Sequence, residues 1–292
     1  MKLTNDIITL EVNEHGAEPV SLKKGGREYL WTGEAQYWNR HAPILFPAVG
    51  KPYNNELHAD GKAYPVKQHG FARDSIFEPR YSRRRNSIKL RMKESELSAG
   101  YPYRLQLEVC YCLEGNKVEA VWTVENLDDE AAYFQIGAHP GFLLPDYDAA
   151  DEVHGHLRYR NREGLPVNPV IVSALRDGNR VPLDTPRNFK SVMPLKADTF
   201  AHDALMFEGG QVTEAVLCDK EGVPVLAVSC PQAEAYGIWA PHKEGCPFVC
   251  LEPWCGICDP YGFTGEIGSR QYIHRLSPRE KYHFTYTIEI YK

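Results

Sequence analysis

A chain of 292 residues, 43% of them hydrophobic and 25% charged, can bury one large core or two ordinary ones. Its net charge of -6 at pH 7 excludes the basic surface on which nucleic-acid binding rests, and no apolar run is long enough to span a bilayer as a helix. Met1 leads straight into a strand-like pattern with neither an apolar h-region nor a small-residue cleavage site, so a cytoplasmic protein is expected.

Strand signals follow one another along the chain. Residues 7–12 open the pattern, and residues 20–22 and 29–31 bracket Lys23-Lys24-Gly25-Gly26, a hairpin turn. The Arg83-Arg84-Arg85 run beside Asn86 reads as a solvated hairpin tip. Leu105, Leu107, Val109, Tyr111 and Leu113 alternate with more polar residues up to Glu114-Gly115-Asn116. Val118, Ala120, Trp122 and Val124 then resume the alternation, which predicts a long hairpin with one buried face. Residues 216–218 and 223–228 repeat the device around Asp219-Lys220-Glu221-Gly222. Tyr282, Phe284, Tyr286, Ile288 and Ile290 share one face of a closing strand. Sustained helical periodicity is absent, and short helical turns are expected only around residues 94–99 and 199–205. With no repeat or linker, the pattern predicts an all-β protein, one large sandwich over residues 1–292.

Eight cysteines need an account. Cys110 and Cys112 lie two apart and share a strand face; Cys218 and Cys230 flank a hairpin. Cys246, Cys250, Cys255 and Cys258 crowd together, with three, four and two residues between them, but they lack the paired C-x-x-C knuckles of a zinc ribbon. Cys250 also sits inside an apolar run. Free buried thiols are the expectation, with no metal.

Three stretches break the alternation and carry polar chemistry. Gln68-His69-Gly70-Phe71-Ala72-Arg73-Asp74 packs an amide, an imidazole and a guanidinium among small residues. In Gly137-Ala138-His139-Pro140-Gly141-Phe142 a histidine leaves an apolar strand between small neighbours that give a ligand room. Its imidazole changes charge near neutral pH. Glu252 ends the apolar run before Pro253 and Trp254, where desolvation raises a carboxyl towards the pKa of a general base. Trp254 offers a flat apolar face to the C–H face of a sugar ring. Taken singly, each has a plainer reading: a histidine bonded in a turn, a glutamate in a salt bridge, a tryptophan in the core. Together they suggest proton transfer on a polyhydroxylated substrate.

The three stretches resemble the markers of the aldose 1-epimerase (galactose mutarotase) family, and most closely its bacterial LacX-like branch. Tyr37-Trp38-Asn39-Arg40-His41-Ala42-Pro43-Ile44-Leu45-Phe46-Pro47 and His202-Asp203-Ala204-Leu205 extend the resemblance along nearly the whole chain. It implies a large antiparallel β super-sandwich with a sugar cleft on one sheet face. It also implies that Glu252 takes the proton of the anomeric hydroxyl, that His139 protonates the ring oxygen and that His69 hydrogen-bonds the sugar nearby. Asp203 would hold ring hydroxyls; Arg73, Gln68, Arg40, Lys51 and Trp254 complete the expected substrate contacts. Acid and base are expected to face each other across a cavity the size of a pyranose. One departure stands out: many relatives have arginine where this chain has Lys51, which keeps the charge but loses the bidentate fork.

Anomer exchange needs one proton removed from the C1 hydroxyl and one delivered to the ring oxygen. A positioned acid or base contributes about 10²–10⁴-fold. Free aldoses already interconvert unaided, so no cofactor is expected, and the expected partner is a small-molecule sugar, with neither nucleic acid nor membrane. Two alternatives remain open: a hexose-6-phosphate 1-epimerase with Arg40, Lys51 and Arg73 as an anion site, or a non-catalytic carbohydrate-binding protein using Trp254, Trp239 and Tyr236 as platforms. A glycosidase would need two paired carboxylates, and only Glu252 has that setting.

Overall fold

The computed structural model describes residues 1–97 and 100–292. Its largest sheet has nine antiparallel strands, and the hairpin read from the alternation lies inside it. Leu105–Glu114 pairs with Lys117–Asn126, from Leu105 opposite Asn126 to Glu114 opposite Lys117. Successive side chains point to opposite faces, so Leu107, Val109, Tyr111, Ala120, Trp122 and Val124 all enter one core. Lys281–Ile290 lies beside this hairpin and adds Phe284, Tyr286 and Ile288 to the same core. Full burial of one such aromatic side chain contributes about 1.5–3 kcal/mol.

A second sheet runs in the order Leu205–Glu208, Ala235–Trp239, Phe248–Cys255, Ile136–Ala138 and Ile44–Leu45. Gly141–Leu143 also pairs with Phe248–Cys255, so the chain leaves that strand at Ala138 and returns to it three residues later. Val249 and Leu251 of this sheet share the core cluster with Leu107 and Trp122 of the first. All eight residues of Phe248–Cys255 are buried, as expected of a strand covered on both faces. The architecture is the all-β antiparallel sandwich that the sequence predicts.

Local differences have physical causes. The first hairpin joins Pro19–Lys24 to the short Arg27–Glu28, and residues 29–31 form no strand. Tyr29 N–H still donates to Leu22 O at 2.9 Å and Leu30 bridges to Phe142, while the Glu28 carboxylate also accepts the N–H groups of Leu22, Tyr29 and Leu30. Residues 199–205 form turns rather than a helix, because Asp203 takes a left-handed φ of 72° and Leu205 opens a strand. Around residues 94–99 a single 3-10 turn covers Glu94–Glu96; Ser98 and Ala99 lie outside the described residues. The arginine run is exposed between Phe77–Arg80 and Ser87–Met92, as expected of a tip. All eight cysteines are free thiols. Cys250 and Cys255 differ in parity and face opposite sides of one strand, so the four crowded in sequence do not converge.

Candidate active site

Strand parity places the carboxylate. On Phe248–Cys255, the odd residues Val249, Leu251 and Cys255 enter the main core. Phe248 and Cys250 join an aromatic group with Trp31, and Trp254 packs with Leu45, Val49 and Met206 on the other face. Glu252 shares the parity of that second face and lines a cleft of about 650 Å³. Gly137 stands opposite Trp254 and Gly237 opposite Glu252 in the flanking strands. A Cβ at Gly237 would come within 2.3 Å of the Trp254 ring and one at Gly137 within 2.7 Å, so bare backbone on both sides makes room for the indole.

The register of Ile136–Ala138 brings the next residue, His139, over the same strand. His139 Nε2 and Glu252 Oε2 stand 3.1 Å apart. The pair is in direct contact, not separated by the width of a sugar ring as expected from the sequence. Trp38 stacks on the imidazole at 4.9 Å, and Trp239 meets it edge-on at 5.7 Å.

Burial sets the proton affinities of the pair. It drives the Glu252 carboxyl well above its ordinary range, with the Asp203 carboxylate adding to the rise. The Trp254 indole weighs the other way, although its Nε1–H closes no hydrogen bond of full geometry. Burial also pushes His139 down to about 3; a local backbone contact opposes the shift, and the charges of Arg73 and Arg40 reinforce it. Both groups therefore favour their neutral forms, and the pair holds one mobile proton between a carboxyl oxygen and a ring nitrogen.

His69 closes the adjacent wall, its ring 5.6 Å from that of His139. It sits at φ 67°, a conformation that costs a non-glycine residue about 1–3 kcal/mol and that concentrates at functional sites. Backbone bonds hold it there: His69 N–H donates to Gly50 O at 2.8 Å, and Phe46 N–H donates to His69 O at 3.2 Å. Its Nδ1 accepts the Gly50 N–H at 3.1 Å, and its Nε2 stands 3.2 Å from the Gln68 side-chain nitrogen on the cleft wall. Burial first, then the charges of His139, Arg73 and Arg40, holds His69 well below its ordinary pKa.

Gln68, Arg73, Lys51, Asp203 and Trp254 all line the cleft. Arg73 donates to Gln68 O at 2.6 Å, keeps a buried Nε without a partner, and is pushed down to about 10 by burial and by Arg40. Lys51 donates to Asp177 O at 2.8 Å. The Asp203 carboxylate accepts the N–H of Ala204. Arg40 is not among the lining residues; its guanidinium pairs with Asp74 at 2.7 Å. Tyr236, weighed as a stacking platform, is buried on the core side, where its hydroxyl donates to Val228 O at 2.9 Å, because parity turns it away from the cleft. Trp38, Asp177 and Met206 join the lining without having been singled out as contacts. Of these, Trp38 lies within the 37–47 motif, which signalled its place. A separate cavity of about 310 Å³ beside Cys246 and Phe248 contains neither His139 nor Glu252. His139, Cys250 and Glu252 offer donor atoms within 4.8 Å of one another, but burial, and then Glu252, keeps the Cys250 thiol protonated, which disfavours a metal there.

Known proteins resemble this chain along nearly its whole length. The chain is 27% identical over 301 residues to the LacX proteins of Lactococcus lactis, plasmid and chromosomal, covering 99% of this chain and 99% of each relative. Its fold superposes on a galactose mutarotase related enzyme from Lactobacillus acidophilus with a TM-score of 0.89 at 28% identity, covering 100% of this chain and 97% of that one. A galactose mutarotase-like protein from Lactobacillus casei follows with a TM-score of 0.86 at 26% identity, covering 100% and 99%. The model of the aldose 1-epimerase family matches residues 1–288, and the chain belongs to that family.

Proposed function

We propose that the cleft interconverts the α and β anomers of an aldohexose. The observation that carries this reading is the buried contact of 3.1 Å between His139 Nε2 and Glu252 Oε2 at a cleft of about 650 Å³, within the usual range for small-ligand sites. Moving the shared proton from Glu252 to His139 makes a carboxylate and an imidazolium. Glu252 then takes the proton of the C1 hydroxyl as His139 gives one to the ring oxygen. The ring opens to the aldehyde, the C1–C2 bond turns, and closure on the other carbonyl face returns both protons. His69 steadies the sugar beside the ring oxygen; Asp203, Gln68 and Arg73 take hydroxyls, and Trp254 supports the apolar ring face.

Polarimetry of freshly dissolved α-glucose and α-galactose tests this directly. The wild-type protein accelerates the relaxation and Glu252→Gln does not. Equal rates from the two proteins would remove Glu252 from the mechanism, and calorimetric sugar binding without faster relaxation would favour a binding protein. A phosphorylated hexose is the second reading, supported by Lys51 and the unpartnered Nε of Arg73 on the cleft wall. Faster exchange of glucose 6-phosphate than of glucose would select it.

A further inference from the structure

On the core-facing side of the strand that carries Glu252, three candidate ligands from three segments converge, and Cys230 neighbours one of them. Cys255 ends Phe248–Cys255, His274 opens His274–Leu276, and Cys230 and Glu234 belong to the turn that leads into Ala235–Trp239. Donor atoms of Glu234, Cys255 and His274 all lie within 4.8 Å of one another, and the Cys230 thiol adjoins the Cys255 sulfur. Backbone bonds fix this meeting: Glu234 N–H donates to Trp254 O at 2.9 Å, Cys230 N–H to Thr213 O at 2.8 Å, and Ala233 N–H to Cys230 O at 3.0 Å.

Two of these donor atoms are buried and unsatisfied. Glu234 Oε2 and His274 Nε2 stand 3.2 Å apart without hydrogen-bond geometry. Buried polar atoms left in this way need an explanation. Zinc bonds of about 2.0–2.2 Å to nitrogen and oxygen, set at the tetrahedral angle, hold two such ligands about 3.3 Å apart. Two cysteines, a histidine and a glutamate also make a complete tetrahedral set.

We propose that Cys230, Glu234, Cys255 and His274 form a structural zinc site, which ties the turn at residues 230–234 to two strands.

Zinc would bind both sulfurs as thiolates and the His274 ring as a neutral imidazole, releasing the protons they carry to solvent. The Glu234 and His274 side chains retain 34% and 20% of their exposure, which leaves a path for entry to the otherwise buried cluster. Only Cys255 comes from the cysteine-rich stretch at 246–258; the other ligands come from segments whose spacing carries no zinc signature.

The test uses the full-length protein, stripped with a chelator and titrated with Co²⁺ under reducing, anaerobic conditions. One equivalent should bring up a sulfur-to-cobalt charge-transfer band with the strong visible bands of tetrahedral cobalt. Zn²⁺ should displace the cobalt and raise Tm. Cys255→Ser should abolish the charge-transfer band, whereas Cys110→Ser should leave it unchanged. Because Cys255 is packed in the core, the partly exposed Glu234→Gln serves as the second variant: an unchanged circular dichroism spectrum with zinc affinity at least tenfold weaker is expected. Absence of the band from the wild type, its survival in Cys255→Ser, or unchanged zinc affinity in a folded Glu234→Gln overturns the proposal. A Cys230–Cys255 disulfide in the protein purified under reducing conditions does so too. None of these readouts depends on sugar exchange.

Discussion

The indole of Trp38 lies stacked on the imidazole of His139, ring centroids 4.9 Å apart and planes within 29° of parallel. The tryptophan is itself anchored, since its carbonyl accepts the Trp31 Nε1–H at 2.7 Å and its N–H donates to Glu34 O at 3.0 Å. A fixed apolar plate on one face of the ring, with Trp239 at its edge, is what dries His139 and favours its neutral form. Trp38→Ala should admit water, so that the midpoint of His139 climbs from about 3 towards the ordinary 6.5 in an NMR titration. A midpoint that stays in place would show that other groups desolvate the ring.

Glu252→Gln should lower the rate of anomer exchange by about 10²–10⁴-fold while keeping the fold. Its effect on stability has a definite sign. Burial raises the carboxyl above 4.5, so the native state holds the proton more tightly than the unfolded chain does. The stability this lends is complete below about 4.5 and is lost as pH rises through the folded value. The Tm of Glu252→Gln relative to wild type should therefore increase from pH 4.5 to neutrality. A constant difference across that range would mean that the buried carboxyl titrates normally.

Gly237→Ala places a methyl group 2.3 Å from the Trp254 ring, on a strand where neither backbone can retreat without breaking the ladder. Overpacking of this kind costs about 1–3 kcal/mol. The expected outcome is a lower Tm, altered tryptophan fluorescence and reduced sugar affinity, because the displaced indole forms part of the cleft wall. Retention of all three wild-type values would mean that the indole has room to move aside.

The loop that follows Phe248–Cys255 is held by a buried ion pair, Arg270 Nε donating to Asp259 Oδ1 at 2.6 Å. Asp259 also accepts the Tyr53 N–H through its carboxylate and the Arg180 N–H through its carbonyl. Asp259→Ala leaves the guanidinium buried and unpaired, which should cost about 3–5 kcal/mol in urea unfolding. The double variant Asp259→Leu with Arg270→Met should recover part of that loss. A single variant within 1 kcal/mol of wild type would show that water replaces the carboxylate.

Much of the protein was legible along the chain. The period of two in residues 105–124 specified both strands and the buried face of the long hairpin, because pleating alone decides which residues share a side. The same local rule marked the strand ending at Glu252 and the histidine leaving its strand before Pro140, and the motifs carried the family. Alternation cannot say which strands become neighbours, or which of two buried faces meets the cleft. Only long-range pairing brought His139 into contact with Glu252, turned Tyr236 into the core and gathered Glu234, Cys255 and His274. The amino-acid order therefore determined the kinds of chemistry present and the strands that carry them. Tertiary register decided which groups touch, because a slip of one residue sends every side chain of a strand to its opposite face.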